Sequence, residues 1–193
     1  MTFRIEEKLA VNSQNLFKLY EWIKRHGGRT LYPDRTINSV YYDNSSLQMF
    51  QDSEEGCVPR KKIRVRYYGQ KDYIDQDLNF EVKVSSVEGR FKTQKIINNI
   101  PDFFLDKQYG IVKPKSMVSY SRSYYEIFNQ RLTIDKAITY NNYKNAFFKK
   151  EFDIAVEIKS KFNTDSDFLL EHFPFHRKRF SKYCRSIILL NLN

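Results

Sequence analysis

Cysteine is nearly absent from this chain. Its two residues, Cys57 and Cys184, have no cysteine near them in sequence. That argues against a disulfide framework and against a four-ligand zinc site. No stretch approaches the ~20 apolar residues of a membrane-spanning helix. The opening Met1-Thr-Phe-Arg-Ile-Glu-Glu-Lys8 is charged at once, unlike a secretory leader. Six glycines and five prolines gather into no linker, and no internal repeat or low-complexity segment is present. Neither Gly-x-Gly-x-x-Gly nor a Walker-type lysine occurs, which excludes a P-loop. The three histidines, His26, His172 and His176, fall in helical or loop positions and read as surface or packing residues. No nucleophile–base set stands out. These absences leave a soluble, cytoplasmic protein as the expectation.

Basic and aromatic residues are what the chain has in quantity. It carries 33 Lys+Arg against 23 Asp+Glu, a net charge of +10, with 16 Phe and 14 Tyr among 193 residues. So many bulky aromatics speak for a packed core rather than a disordered basic tail. The length suits a single domain over residues 1–193. The charge points to an anionic partner.

The basic residues are dispersed along alternating patterns rather than gathered into blocks. Arg4, Glu6 and Lys8 share one strand face, as do Lys62, Arg64 and Arg66, with apolar residues between them. The same period of two places Glu81 with Lys83, Arg131 with Thr133 and Asp135, and Glu157 with Lys159. Half-exposed strands ordinarily look this way. The recurrence of Glu-x-Lys at three strand-like sites suggests more: a closed barrel with charged faces inward and apolar faces toward covering helices. Such an interior is costly unless a highly charged ligand occupies it.

The pattern predicts strands over 3–11, 36–42, 60–68, 78–85, 90–97, 115–128, 131–140 and 153–159. Helices are predicted over 14–26, after Asp43-Asn44-Ser45, after Pro101, and over 165–172 and 181–190. Pro33-Asp34, Glu54-Glu55-Gly56, Glu88-Gly89 and Asn129-Gln130 read as turns or loops, and 71–77 as a hairpin connection. The implied fold class is α+β: eight antiparallel strands with a charged interior, flanked by helices. The apolar Ile187-Ile-Leu-Leu190 reads as the packed side of the last helix.

Many cations with a few carboxylates suit a chain of phosphates. Arginine forks and lysine charges neutralise non-bridging oxygens, and carboxylates among them suit Mg²⁺ or Mn²⁺ shared with a phosphate. Lys8, Arg64, Arg66, Lys83, Arg122, Lys159 and Lys182, offset by Glu6, Glu81 and Glu157, leave a surplus that matches the roughly −4 of a triphosphate. Phosphoryl transfer needs positioning and charge stabilisation more than a special nucleophile.

In order, Arg4-x-Glu6-x-Lys8, Ser39-Val-Tyr-Tyr-Asp43, Lys62-Ile-Arg64-Val-Arg66-Tyr-Tyr-Gly69 and Glu81-x-Lys83 resemble the VTC domain. Val118-Ser-Tyr-Ser-Arg122, Arg131-Leu-Thr-Ile-Asp135, Val156-Glu-Ile-Lys159 and Phe180-Ser-Lys182-Tyr183 continue the resemblance to about residue 187. This is the polyphosphate polymerase branch of the CYTH-like triphosphate tunnel enzymes. The resemblance implies an eight-stranded antiparallel β-barrel tunnel in which the terminal phosphate of ATP passes to a growing polyphosphate chain with Mn²⁺ or Mg²⁺. Carried over by position, Lys8, Arg64, Arg66, Lys83, Arg122 and Lys182 would grip phosphates and Glu157 would hold the metal. Arg131, Lys159, Lys92, Glu6 and Glu81 are further substrate-binding candidates.

Three departures shape the comparison. Tunnel hydrolases open with Glu-x-Glu-x-Lys, whereas Arg4 stands at the first acidic position. Gln94 occupies a place where a basic residue is expected. The chain also resembles the stand-alone bacterial form, without the SPX domain and membrane module of eukaryotic relatives, so a separate membrane protein is an expected associate. Other readings are a tunnel triphosphatase, with Glu6 or Glu81 orienting water, and a non-catalytic binder of polyphosphate or nucleotide. An RNA-binding protein is the weaker fit, because it would carry its charge on an outer face.

Overall fold

The computed structural model describes residues 4–69, 77–161, 164–173 and 175–192. β1 (Arg4–Leu9) leads through a 3-10 turn (Ser13–Asn15) into α1 (Leu16–Arg25), β2 (Arg29–Asp43) and α2 (Gln48–Glu55). Three strands come next, β3 (Arg60–Tyr68), β4 (Leu78–Ser86) and β5 (Gly89–Ile97), then the short β6 (Phe104–Asp106). The chain continues with β7 (Gly110–Ile127), β8 (Gln130–Asn142), the short β9 (Phe148–Lys150) and β10 (Ala155–Lys161). It ends with α3 (Ser166–His172) and α4 (Lys182–Leu189). The strands pair in the order β1-β10-β8-β7-β2-β3-β4-β5, with β6 on β7 and β9 on β8. The α+β fold with eight main strands and flanking helices is therefore the one expected.

The chain clusters into two compact units, to both of which β2, β7 and β8 contribute. The first comprises residues 1–35, 120–138 and 151–180. Its core joins Leu9, Leu19, Ile23, Leu132, Ile134, Val156, Ile158, Leu169 and Phe173. Asn12 caps the 3-10 turn that leads into α1, accepting from the backbone N–H of Asn15 at 2.9 Å. The helix presents Leu19 and Ile23 to the core. At its end Gly28 donates to the carbonyl of Ile23 at 2.8 Å. A Cβ on Gly28 would meet Ile23 Cγ2 at 2.5 Å and its carbonyl oxygen at 2.9 Å. Gly28→Ala is therefore expected to lower stability by about 1–3 kcal/mol, read from thermal melts; an unshifted melt would contradict this packing.

The second unit comprises residues 36–119, 139–150 and 181–193. Val40, Tyr42, Met49, Ile63, Val65, Tyr67, Leu78, Val118 and Ile187 are among its buried residues. Asp43 ends β2 and organises the entry to α2. Its carboxylate accepts from the N–H groups of Asn44, Met49 and Phe50 at 2.8–3.0 Å, so it caps α2 from five residues before the helix begins. It also accepts from Tyr183 Oη at 2.5 Å. Burial pushes the Asp43 carboxyl up against the lowering pull of these donors. Burial and Asp43 push the Tyr183 hydroxyl up as well.

Several local expectations change. Pro33-Asp34 lies within β2, on its exposed first half, where a strand tolerates the missing N–H. Glu54 and Glu55 belong to α2, which Gly56 ends in the left-handed region. No helix forms after Pro101; Phe104 instead enters β6, its ring packed on Tyr42 and Phe80 at 4.8 and 4.4 Å. The β7–β8 turn falls at Phe128-Asn129, both at positive φ (51° and 59°), as a two-residue hairpin matching strand twist requires. β9 has no counterpart in the sequence pattern, because three residues carry no periodicity. The 71–77 connection lies, except for Asp77, outside the described residues. Ile187 in α4 and Leu190 just after it are buried, whereas Ile188 is exposed. Among the described residues no helix is long and apolar enough to cross a membrane.

Candidate functional site

In the second unit, β3, β4 and β5 pair in a register that the pleat turns into a charged face. Lys62 stands opposite Lys83, and Lys83 opposite Lys92. In the next row Tyr41, Arg64, Glu81 and Gln94 succeed one another across β2 to β5. A third row sets Ser39, Arg66 and Asn79 side by side. The intervening Ile63 and Val65 are buried on the opposite face. Lys92 thus shares a face with Glu81 and Lys83.

Glu81 is the anchor of this face and only 1% exposed. Arg64 donates to its Oε2 from Nε at 2.6 Å, with Nη2 at 2.5 Å. Arg66 Nη1 lies 3.9 Å from the same oxygen, and the Lys92 ammonium pairs with Oε1. Burial raises the Glu81 carboxyl, but Arg64, Arg66 and Lys92 outweigh it and hold the pKa at about 2. Three cations thus share one carboxylate. Gln94 accepts from Lys92 at 2.9 Å and donates to Asn79, so it extends the polar row without adding charge.

Tyr41 is buried beside them. Its hydroxyl accepts from Arg64 Nη1 at 3.2 Å, and its ring stacks on Tyr183 at 5.3 Å. Burial alone would raise its pKa; Arg64, Arg66 and Lys182 bring it below the ordinary phenol value. Lys182 opens α4, directly after the capping Ser181. Ser181 Oγ also accepts from Lys62 at 2.9 Å, tying the helix start to β3.

The first unit carries its own charged face on β1, β10 and β8. Glu6, Lys159 and Arg131 form one cross-strand row; Lys8, Glu157 and Thr133 form the next. The Lys159 ammonium lies 3.3 Å from Glu6 Oε1 and 3.0 Å from Glu157 Oε1. Lys8 donates to the carbonyl of Phe180. Arg122 forms a two-pronged pair with Asp135, Nε to Oδ1 at 2.5 Å and Nη2 to Oδ2 at 2.8 Å. Burial opposes the charge on Arg122, yet Asp135, Tyr120 and Glu157 hold its pKa above the ordinary value. The buried Arg131 Nε has no hydrogen-bond partner among the described residues, a donor suited to an incoming anion.

Among the described residues no three His, Cys, Asp or Glu side chains converge as a metal-holding group. Glu6 and Glu157 do reach one cation together, since both contact the Lys159 ammonium. Two carboxylates suit Mg²⁺ or Mn²⁺, which take their remaining ligands from water and substrate phosphate. The residues present fit such an ion.

Ten of the twelve candidates lie on these two strand faces: Arg64, Arg66, Glu81, Lys83 and Lys92 in the second unit, and Glu6, Lys8, Arg131, Glu157 and Lys159 in the first. Arg122 on β7 joins the first through Asp135, and Lys182 at the start of α4 joins the second through its charge beside Tyr41. Tyr41, Lys62 and Asp135 join them without having been chosen as site residues. Lys62 and Asp135 stand in step with Arg64 and Arg131, and the shared period of two is the signal available for them; Tyr41 lies in a quoted motif that holds no chosen residue.

The fold is shared with solved structures, three of which illustrate the likeness. A candidate adenylate cyclase from Vibrio parahaemolyticus superposes with a TM-score of 0.58 at 15% identity, covering 96% of this chain and 98% of that one. A conserved hypothetical protein from Pyrococcus furiosus gives 0.56 at 13%, covering 94% and 99%. A candidate adenylyl cyclase from Hippeastrum, described as having a dominant triphosphatase activity, gives 0.52 at 12%, covering 96% and 95%. None of the curated protein sequences compared with the chain matches it. The chain thus has the fold of these structures. The VTC domain model matches residues 3–104 and 91–191, and the chain belongs to the VTC domain family.

Proposed function

We propose that this chain is a cytoplasmic, metal-dependent phosphotransferase of the polyphosphate polymerase kind, acting as a single VTC domain over residues 1–193. It would move the terminal phosphate of ATP onto a polyphosphate chain. The observation that carries this reading is the row of Lys62, Lys83 and Lys92 on three adjacent strands. Three ammonium-bearing side chains on adjacent strands can be bridged by one polyvalent anion lying across the row, and a run of phosphates is such an anion. Membership of the VTC family supports the same substrate class.

In this mechanism Arg64 and Arg66 present their forks to non-bridging oxygens, with Lys83, Lys92 and Lys182 adding charge. In the first unit Lys8, Arg122 and Arg131 serve the same chemistry, Arg131 through its open Nε donor. Glu157 and Glu6 would hold Mn²⁺ or Mg²⁺, which neutralises charge on the transferring phosphate. A chain-end oxygen forms the new P–O bond as the bond to ADP breaks, and ADP leaves with the electron pair. The attacking oxygen is already anionic, so no strong general base is required.

Incubation with ATP and Mn²⁺ or Mg²⁺, followed by gel separation and phosphate assay, tests this reading. Long polyphosphate supports it. Stoichiometric orthophosphate instead would make the chain a triphosphatase, the activity described for the Hippeastrum neighbour; neither product would leave a binding module. Glu157→Gln is expected to reduce metal-dependent turnover by about a hundredfold or more. Unchanged turnover in that variant would remove Glu157 from the metal site.

A further inference from the structure

The candidate site absorbs the charged strand faces but leaves another group of cations in the second unit unexplained. The connection from β8 into β9 reads Tyr143-Lys144-Asn145-Ala146-Phe147-Phe148-Lys149-Lys150. Tyr143, Phe147 and Phe148 are 43%, 43% and 52% exposed. Residues 139–150 contain three lysines and no acid, as do residues 107–119. The two stretches meet where the Tyr143 N–H donates to the carbonyl of Lys115 at 3.2 Å. Burial first, then Lys144 and Lys113, depress the Lys115 ammonium despite the opposing pull of Asp43. Asp106, bordering the second stretch, is already held by Lys61 at 2.9 Å. A cross-strand apolar pair, Leu105 and Ile111, lies 79% and 55% exposed on the neighbouring β6–β7 hairpin.

We propose that this aromatic and lysine-rich hairpin docks the protein onto an anionic lipid surface. The tip is built rather than loose. Asn142 accepts from the N–H of Lys144 at 2.8 Å, Asn145 from that of Phe147 at 3.0 Å, and the Asn142 N–H donates to the carbonyl of Phe147 at 2.8 Å. The Lys149 ammonium sits 5.3 Å from the centre of the Phe147 ring, so apolar ring and cation form one amphipathic unit. At a bilayer surface the ring enters the acyl boundary while the ammonium stays among the phosphates. Phenylalanine has no polar edge for reading a base, and the excess lysines complement acidic headgroups. Exposed rings set among lysines fit a lipid surface better than an acidic protein, which would leave the rings in water.

Co-sedimentation of the full chain with phosphatidylcholine vesicles, with and without roughly 30% phosphatidylserine, tests the proposal. The wild type is expected to pellet with the acidic vesicles only, and to be released as salt rises. Phe147→Ser with Phe148→Ser should weaken partitioning by about tenfold or more, and Lys144→Glu with Lys149→Glu and Lys150→Glu should abolish it. These side chains are exposed, so thermal melts should match the wild type. Lys83→Ala, which changes the candidate site, should still pellet. Failure of the wild type to bind acidic vesicles overturns the proposal. So does binding that survives both hairpin changes, binding lost in Lys83→Ala, or capture by single-stranded RNA in preference to vesicles.

Discussion

Lys83→Ala is expected to lose about two to three powers of ten in polyphosphate synthesis while keeping its fold. Lys83 is the middle of the Lys62–Lys83–Lys92 row, on the same face as Arg64 and Glu81. A cation aimed at charge that develops during transfer is worth about that much in rate. Arg64→Ala provides the contrast. Arg64 holds Glu81 by two contacts and bonds Tyr41, so its loss should reduce both activity and stability. Melting curves and polyphosphate gels on the two variants read these effects. A Lys83→Ala protein that turns over normally would show that the row is ordinary strand surface. Activity lost at Lys83 with the fold kept, against both lost at Arg64, is the mark of a residue held for a ligand rather than for folding.

The alternation that reveals these faces is legible because a strand has an unambiguous period. Arg60–Tyr68 reads correctly to the residue, and β4 and β5 to within one. Register is not legible in the same way. Nothing in the sequence says that Lys62, Lys83 and Lys92 share one row while Arg64, Glu81 and Gln94 share the next; pairing and turn length set that. Asp43 escapes for a related reason. It looks like the start of a short helix, yet it is the end of a strand whose carboxylate gathers α2 and Tyr183. Pro33 misleads because a local turn signal is overridden by an exposed strand segment that needs no N–H there. Chemistry-bearing side chains are found by type and period. Their partners are not, because partners are chosen in three dimensions.

Glu81→Gln should cost about 3 kcal/mol at neutral pH, and the cost should depend on pH in a specified way. The substitution leaves Arg64, Arg66 and Lys92 around a neutral amide, and removing one side of a buried charge cluster has a penalty of this order. The pKa of about 2 for Glu81, against an ordinary 4.5, gives a similar figure. Because the folded state lowers this pKa, the stabilisation is complete above about pH 4.5 and is lost as pH falls toward 2. The gap between wild type and variant should therefore close over that interval and stay constant above it. Tripolyphosphate adds a second measurement. In the wild type it must compete with the Glu81 carboxylate for three cations; in the variant that competitor is gone. The anion should raise the melting temperature of Glu81→Gln more than that of the wild type, by an amount set by its tighter binding. Equal shifts in the two proteins, or a stability gap indifferent to acid, would mean that these cations are committed to the fold and not held for phosphate. A larger shift in the variant would show that Glu81 keeps the three cations in place while the protein is empty and yields them when the anion arrives.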